Sequence, residues 1–174
     1  AYSQFQGLDF KYIGNLDADV SFDSSYFENI LLKFEQNEKI GLAGGVRYDS
    51  HGRNFKKTIC AKTSVGGPYQ LFRRECFDQI GGYLPLKYGG IDSAAEVMVL
   101  MYGWEVHSFD EFSVYHHRRT GTAKGGILKA KFRQGVIDFT HGNHPFFEFV
   151  KLVYRCRESP YVIGSMSRFT GFVW

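Results

Sequence analysis

Apolar residues along this chain change their period several times, and each change marks an element. The run at 10–16, with Tyr12, Ile13 and Leu16, predicts a strand that ends on Asp17 and Asp19. Phe27, Ile30, Leu31 and Phe34 then recur at helical spacing and predict a core-facing helix running to Gln36. Ser25-x-x-Glu28 reads as its capping box. Residues 40–48 predict a second strand, and Gly44-Gly45 inside it predicts a bulge or a close backbone approach. The polar stretch 49–57 reads as a loop, 58–61 and 69–72 as short strands, and 74–80 as a short helix stopped by Gly81. Ala94, Val97, Met98 and Met101 stripe a helix over 93–102, with Asp92 at its N-cap. Strands follow at 104–109 and 113–115.

From Gly126 onward the pattern is helical, with helices expected at 126–140, 145–157 and 161–174. Phe146, Phe149, Val150 and Val153 make one apolar face of the second, and Ile163, Met166, Phe169 and Val173 one of the third. Packing on the domain is the expected use of these faces, with a membrane interface as the alternative.

At 174 residues the chain is long enough to build a substantial core. No apolar run approaches the roughly 18 residues of a membrane span. Its cysteines, Cys60, Cys76 and Cys156, are odd in number and far apart, which argues against a disulfide framework or a zinc knuckle and fits a reducing compartment. The net charge of +3 hides an asymmetry. Residues 1–117 carry 11 Lys and Arg against 15 Asp and Glu, and residues 118–174 carry 10 against 3. The division expected is therefore a domain at 1–123 and a basic helical tail at 124–174 packed on it. Phosphates, an anionic membrane surface or nucleic acid could face that tail. Nucleic acid is set aside, because the aromatic residues follow core periodicities rather than interleaving with a basic groove.

The candidate chemistry sits at strand ends. Asp17 and Asp19, one residue apart, converge if the extended geometry persists, and two hard oxygen donors suit Mg²⁺ or Mn²⁺ carrying phosphates. An isolated Asp-x-Asp is more often a solvated turn, and Asp92 taken alone is a helix cap. His116-His117-Arg118-Arg119 at a strand end offers imidazoles for Mn²⁺ and guanidinium forks for phosphate. Gly66-Gly67 would let the backbone pass close to a ligand, or make a turn.

The order of these motifs resembles that of a family 2 glycosyltransferase with the GT-A fold, of the bacterial cell-surface polysaccharide type. Three segments carry the likeness: Asn15-Leu16-Asp17-Ala18-Asp19; Phe72-Arg73-Arg74-Glu75-Cys76-Phe77-Asp78-Gln79-Ile80-Gly81-Gly82-Tyr83; and Gly89-Gly90-Ile91-Asp92 with the helix and Tyr102-Gly103-Trp104 after it. The resemblance implies an α/β fold, a partial GT-A (Rossmann-like) mixed sheet flanked by helices with a helical C-terminal tail. It implies that an N-terminal nucleotide-binding half would precede Ala1, so the chain is expected to be a piece with little activity by itself. By the same resemblance, Asp17 and Asp19 hold the metal and the nucleotide-diphosphate sugar, Asp19 more directly. Asp92 is the catalytic base, His116 or His117 a metal ligand, and Arg118 and Arg119 neutralise the diphosphate. The family commonly has an acidic pair where this chain has Ile91-Asp92.

The function so implied is inverting transfer of a sugar from a nucleotide-diphosphate sugar to a saccharide or lipid-linked saccharide acceptor. The implied setting is cytoplasmic, with peripheral association at the inner face of the cell membrane, and a homodimer through an exposed sheet edge. Two other classes compete. One is a non-catalytic module whose basic helices dock on a membrane or a protein. The other, a metal-dependent nucleotidyltransferase or pyrophosphatase, would normally bring a Gly-rich phosphate loop or more acidic ligands, and neither is evident.

Overall fold

The computed structural model describes residues 7–51, 54–58, 61–117 and 126–174. The chain forms two compact units, one of residues 1–84 and 91–118, the other of 85–90 and 119–174.

The first unit is a mixed α/β layer. Its strands are β1 (Tyr12–Gly14), β2 (Val20–Phe22), β3 (Ile40–His51), β4 (Asn54–Lys57), β5 (Leu71–Arg73) and β6 (Glu105–His116). They form one sheet in the order β1-β5-β3-β6-β2, with β4 folded back on β3. The β3–β6 pair is parallel and every other pair is antiparallel. Helices α1 (Tyr26–Gln36), α2 (Arg74–Gln79) and α3 (Ile91–Met101) belong to the same unit. Ile30, Phe34, Leu42, Phe72, Val99 and Val106 are fully buried at the centre of its core.

Several expectations shift. The first strand shortens to β1, and an unforeseen strand, β2, follows the acidic pair. The loop expected at 49–57 is instead the end of β3 and all of β4, paired from Tyr48↔Lys57 to His51↔Asn54. The strand expected at 69–72 begins later, at Leu71, after a 3₁₀ turn over Gly67–Tyr69. The two strands expected at 104–115 are one, β6. Its register against β3 jumps from Gly45↔Phe109 to Val46↔Ser113, so the interruption in pattern is a bulge and not a strand end. Gly45 allows it: a Cβ there would collide with the Phe112 carbonyl oxygen, and the Gly45 amide donates to the Tyr26 hydroxyl at 2.9 Å.

Helix signals were cruder than helix positions. Ser25 occupies the α1 N-cap but makes no side-chain capping bond, so the expected box is not closed. At the other end Arg73 donates to the carbonyls of Phe34, Asn37 and Ile40, satisfying groups that the helix leaves open. In α3 the buried positions are Ala95 and Val99, whereas Val97 and Met101 of the expected stripe are exposed.

The second unit holds α4 (Gly126–Thr140), α5 (Pro145–Arg155) and α6 (Tyr161–Val173). Pro145 starts α5 behind a His144 cap, whose Nδ1 accepts from the Phe146 amide at 3.2 Å. Its interior combines the apolar Val136, Ile137, Leu152 and Phe172 with an ionic cluster: Arg168 pairs with Asp138 and, at 3.2 Å, with Glu148, while Lys151 reaches Asp138 at 3.0 Å and Glu148 at 3.3 Å. On the apolar arcs of α5 and α6, Phe146 is 71% exposed and Ile163 63%.

Candidate functional site

The site is built on three segments of the first unit. The acidic stretch Asn15–Asp19 leaves β1 and enters β2. The extended geometry that would aim Asp17 and Asp19 at one point gives way to a turn at Ala18–Asp19. Asp17 is exposed, while the Oδ1 of Asp19 is buried with no hydrogen-bond partner.

The second segment is Gly66-Gly67-Pro68, the loop before β5. The Asp17 amide donates to the Pro68 carbonyl at 3.0 Å, and Asn15 Nδ2 donates to the Gly67 carbonyl at 2.8 Å. The same loop lies against the start of α3. A Cβ on Gly67 would stand 2.6 Å from the Asp92 carboxylate oxygen Oδ2, so glycine lets the loop pass with the Asp92 side chain in this position. One dipeptide thus touches both the acidic stretch and the Asp92 side chain. Asp92 sits in the first turn of α3 and not outside it as a cap.

The third segment is the end of β6. His116 pairs in register with Asp49 across the parallel ladder and with Val20 across the antiparallel one. Its Nδ1 is 3.0 Å from Asp49 Oδ1, and its Nε2 is 3.5 Å from the orphaned Asp19 Oδ1. Asp49 is itself held by Arg47 Nε at 3.2 Å and by the Thr58 hydroxyl at 2.9 Å. With Nδ1–H donated to Asp49, the lone pair of Nε2 faces a carboxylate oxygen. Two acceptors facing each other repel unless a proton or a cation lies between them.

That pair is the test of whether a divalent cation fits. An unpartnered carboxylate oxygen and an oriented imidazole nitrogen are suitable ligand atoms, and Asp49 is the carboxylate that metal-bound histidines commonly donate to. Among the described residues no group of three or more His, Cys, Asp or Glu is arranged to hold a metal ion. Asp19 Oδ1 and His116 Nε2 are thus a pair of donor atoms, not a closed set of protein ligands. His117 is turned away: its Nε2 meets the Ser21 hydroxyl at 2.7 Å, and its ring stands edge-on to Phe55. Arg118 and Arg119 lie outside the described residues.

Sequence reasoning missed two acids. Asp49 was assigned to a loop, because a parallel neighbour leaves no local signature. Glu96 lies one turn beyond Asp92, accepting from the Val65 amide at 2.6 Å and the Ser64 hydroxyl at 3.0 Å. Burial, with a smaller push from Asp92, raises its carboxyl to about 7. Its spacing from Asp92 was the available signal. Gln70, also buried, bridges the Val65 carbonyl at 3.1 Å and the Tyr83 hydroxyl at 2.7 Å, so the wall behind Asp92 is hydrogen-bonded throughout.

No protein-family model matches the chain, and no curated protein matches it in sequence. Among solved structures it is similar to the mannosyltransferase PcManGT from Pyrobaculum calidifontis, in complex with GDP-Man and Mn2+, with a TM-score of 0.57 at 13% identity. That match covers 95% of this chain and 47% of the mannosyltransferase chain, so this chain spans about half the length of its structural neighbour. The fold is thereby a glycosyltransferase-like, partial Rossmann-like α/β fold.

Proposed function

We propose that this chain belongs to a metal-dependent, inverting glycosyltransferase of the family 2 type. It would take its sugar from a nucleotide-diphosphate donor and pass it to a hydroxyl of a saccharide or a lipid-linked saccharide. The observation that carries the proposal is the Gly67-Pro68 dipeptide, which tethers the Asp-x-Asp stretch on one side and packs against Asp92 on the other. Two acids with distinct roles are thereby held by one rigid backbone segment. The mannosyltransferase solved with GDP-Man and Mn2+ supports the donor class and the use of a metal.

In this proposal Asp19 and His116 would hold a divalent cation, which when bound would supply positive charge beside the departing diphosphate. Asp17, exposed beside them, is the second acid of the donor site. Asp92 accepts the proton of the acceptor hydroxyl as its oxygen attacks the anomeric carbon. The carbon–oxygen bond to the diphosphate breaks on the opposite face, giving inversion. Arg118 and Arg119 follow the His116-His117 pair in sequence and are assigned to the diphosphate. A bacterial polysaccharide or glycolipid setting, and pairing of two copies through the edge strands β1 or β2, belong to the same proposal.

The test is calorimetric titration of Mn²⁺ with GDP or UDP into this chain. Metal-dependent nucleotide binding is expected. Asp19→Asn should abolish it, while Asp92→Asn should leave it intact and, in the full transferase, remove turnover. Equal binding by all three proteins would sink the assignment. Absence of Mn²⁺ binding by the parent chain would remove Asp19 and His116 as a metal pair in this chain.

A further inference from the structure

Asp92 and Glu96 lie one turn apart on α3, and both side chains meet the loop at 64–68. Asp92 meets it at Gly67. Glu96 meets it earlier: Oε1 accepts from the Val65 amide at 2.6 Å and Oε2 from the Ser64 hydroxyl at 3.0 Å. The Val65 carbonyl is taken as well, by Gln70 Nε2 at 3.1 Å, and the same nitrogen reaches the Asp92 carbonyl at 3.4 Å. Both backbone polar groups of Val65 are therefore tied to side chains. Its own side chain is buried, and a Cβ on Gly44 would stand 2.4 Å from it.

Gly66 and Gly67 follow at once. Glycine has the widest choice of backbone conformations, so two in succession do not set their own direction. The hold on Val65 sets it for them. Downstream, the Gly67 carbonyl accepts from Asn15 Nδ2 at 2.8 Å and the Pro68 carbonyl from the Asp17 amide at 3.0 Å. A path of hydrogen bonds and three backbone residues thus joins Glu96 to the acidic stretch, passing the Asp92 carboxylate on the way. A carboxylate is a costly group for holding a loop. Burial raises that of Glu96 to about 7, so near neutral pH the folded chain keeps the anion against a desolvation cost. Groups perturbed in this way gather at functional sites.

We propose that Glu96 is a positioning residue of the transferase site, clamping Ser64-Val65 to α3 so that Gly67-Pro68 holds Asp92 and the acidic stretch in one arrangement. This inference rests on the transferase reading above. Either protonation state of Glu96 makes the clamp. The anion accepts both bonds, and the neutral acid accepts from Val65 while donating its proton to the Ser64 hydroxyl oxygen. Glu96→Gln can copy the second pattern with its amide, whereas Glu96→Ala can copy neither.

The test compares the parent chain with both variants near neutral pH. Amide hydrogen exchange, read by nuclear magnetic resonance without metal, reports the clamp. In Glu96→Ala the amides of Asp17 and Tyr69, bonded to the Pro68 and Gly66 carbonyls, should exchange about tenfold faster or more. Amides of the β3–β6 ladder should keep parental rates. Calorimetric titration of Mn²⁺ with GDP or UDP reports the site, and Glu96→Ala should bind about tenfold more weakly. Glu96→Gln should restore both readings. Ser64→Ala, which removes one donor and leaves Glu96 in place, should loosen the same two amides to a smaller degree and serves if Glu96→Ala does not fold. Parental exchange at Asp17 in Glu96→Ala would overturn the proposal. So would faster exchange with parental affinity, because Glu96 would then support the fold alone, and the transferase reading would stand. A Glu96→Gln variant as loose as Glu96→Ala would overturn it too, since charge and not the clamp would be at work. No Mn²⁺ binding by the parent, with exchange still responding to Glu96→Ala, would strike the transferase reading and the positioning role together.

Discussion

His116 Nδ1 lies 3.0 Å from Asp49 Oδ1, and the two residues are register partners on the parallel strands β6 and β3. That bond fixes the imidazole plane and leaves Nε2 facing the unpartnered Oδ1 of Asp19. In the proposed site Asp49 is a positioning residue that acts through His116. Asp49→Asn should weaken Mn²⁺ binding by about 10- to 100-fold, as loss of an orienting carboxylate does at other metal sites. The thermal midpoint should move little, because Thr58 and Arg47 remain to hold the amide. Titration of Mn²⁺ alone checks it, and an unchanged isotherm would remove Asp49 from the site.

Gly67→Ala probes the contact between the loop and the base. The added methyl would stand 2.6 Å from Asp92 Oδ2 and 3.0 Å from its Cβ. The Asp92 carboxylate must swing aside or the loop must shift, at a cost of up to about 1–3 kcal/mol of stability. Turnover in the full transferase should fall further than stability does, since a misplaced base loses proton transfer. A variant with parental melting and parental rate would mean that the contact is slack.

Glu96 makes stability depend on pH. Burial raises its carboxyl to about 7 in the folded chain, against 4.5 as the ordinary value. A raised acid favours the protonated folded state, so its contribution is complete below about pH 4.5 and is lost as pH rises through 7. Glu96→Gln imitates the protonated form. The variant should match the parent near pH 4.5 and exceed it above pH 7, by up to about 3 kcal/mol. Denaturant midpoints of both proteins across that window measure the difference, and a constant gap would contradict it.

Arg168 is the centre of the ionic cluster of the second unit, 4% exposed between Asp138 and Glu148. Arg168→Met leaves two buried carboxylates with Lys151 as the remaining cation. Destabilisation of about 3–5 kcal/mol is expected from the uncompensated charge. Removing the whole cluster, with Asp138→Leu, Glu148→Leu and Lys151→Met added, should restore most of the loss. Chemical unfolding of the two variants distinguishes an ionic role from simple space filling.

The sequence by itself determined where most elements lie. Period alone located α1 and α4–α6 nearly to the residue, because each carries an apolar arc, whichever way that arc faces. It also marked the Asp-x-Asp stretch, the glycine loop and Asp92 as candidates, since turn chemistry and charge are local properties. Tertiary structure decided what pairing and burial control. The parallel register of β3 with β6 brought Asp49 to His116, two residues 67 positions apart that no local pattern connects. A turn at Ala18–Asp19 separated the two acids and buried the Asp19 Oδ1. Burial gave Glu96 its raised carboxyl. Periodicity cannot say which side of a helix meets protein, so the outward arc of α5 is visible only once Glu148 and Leu152 are found inside.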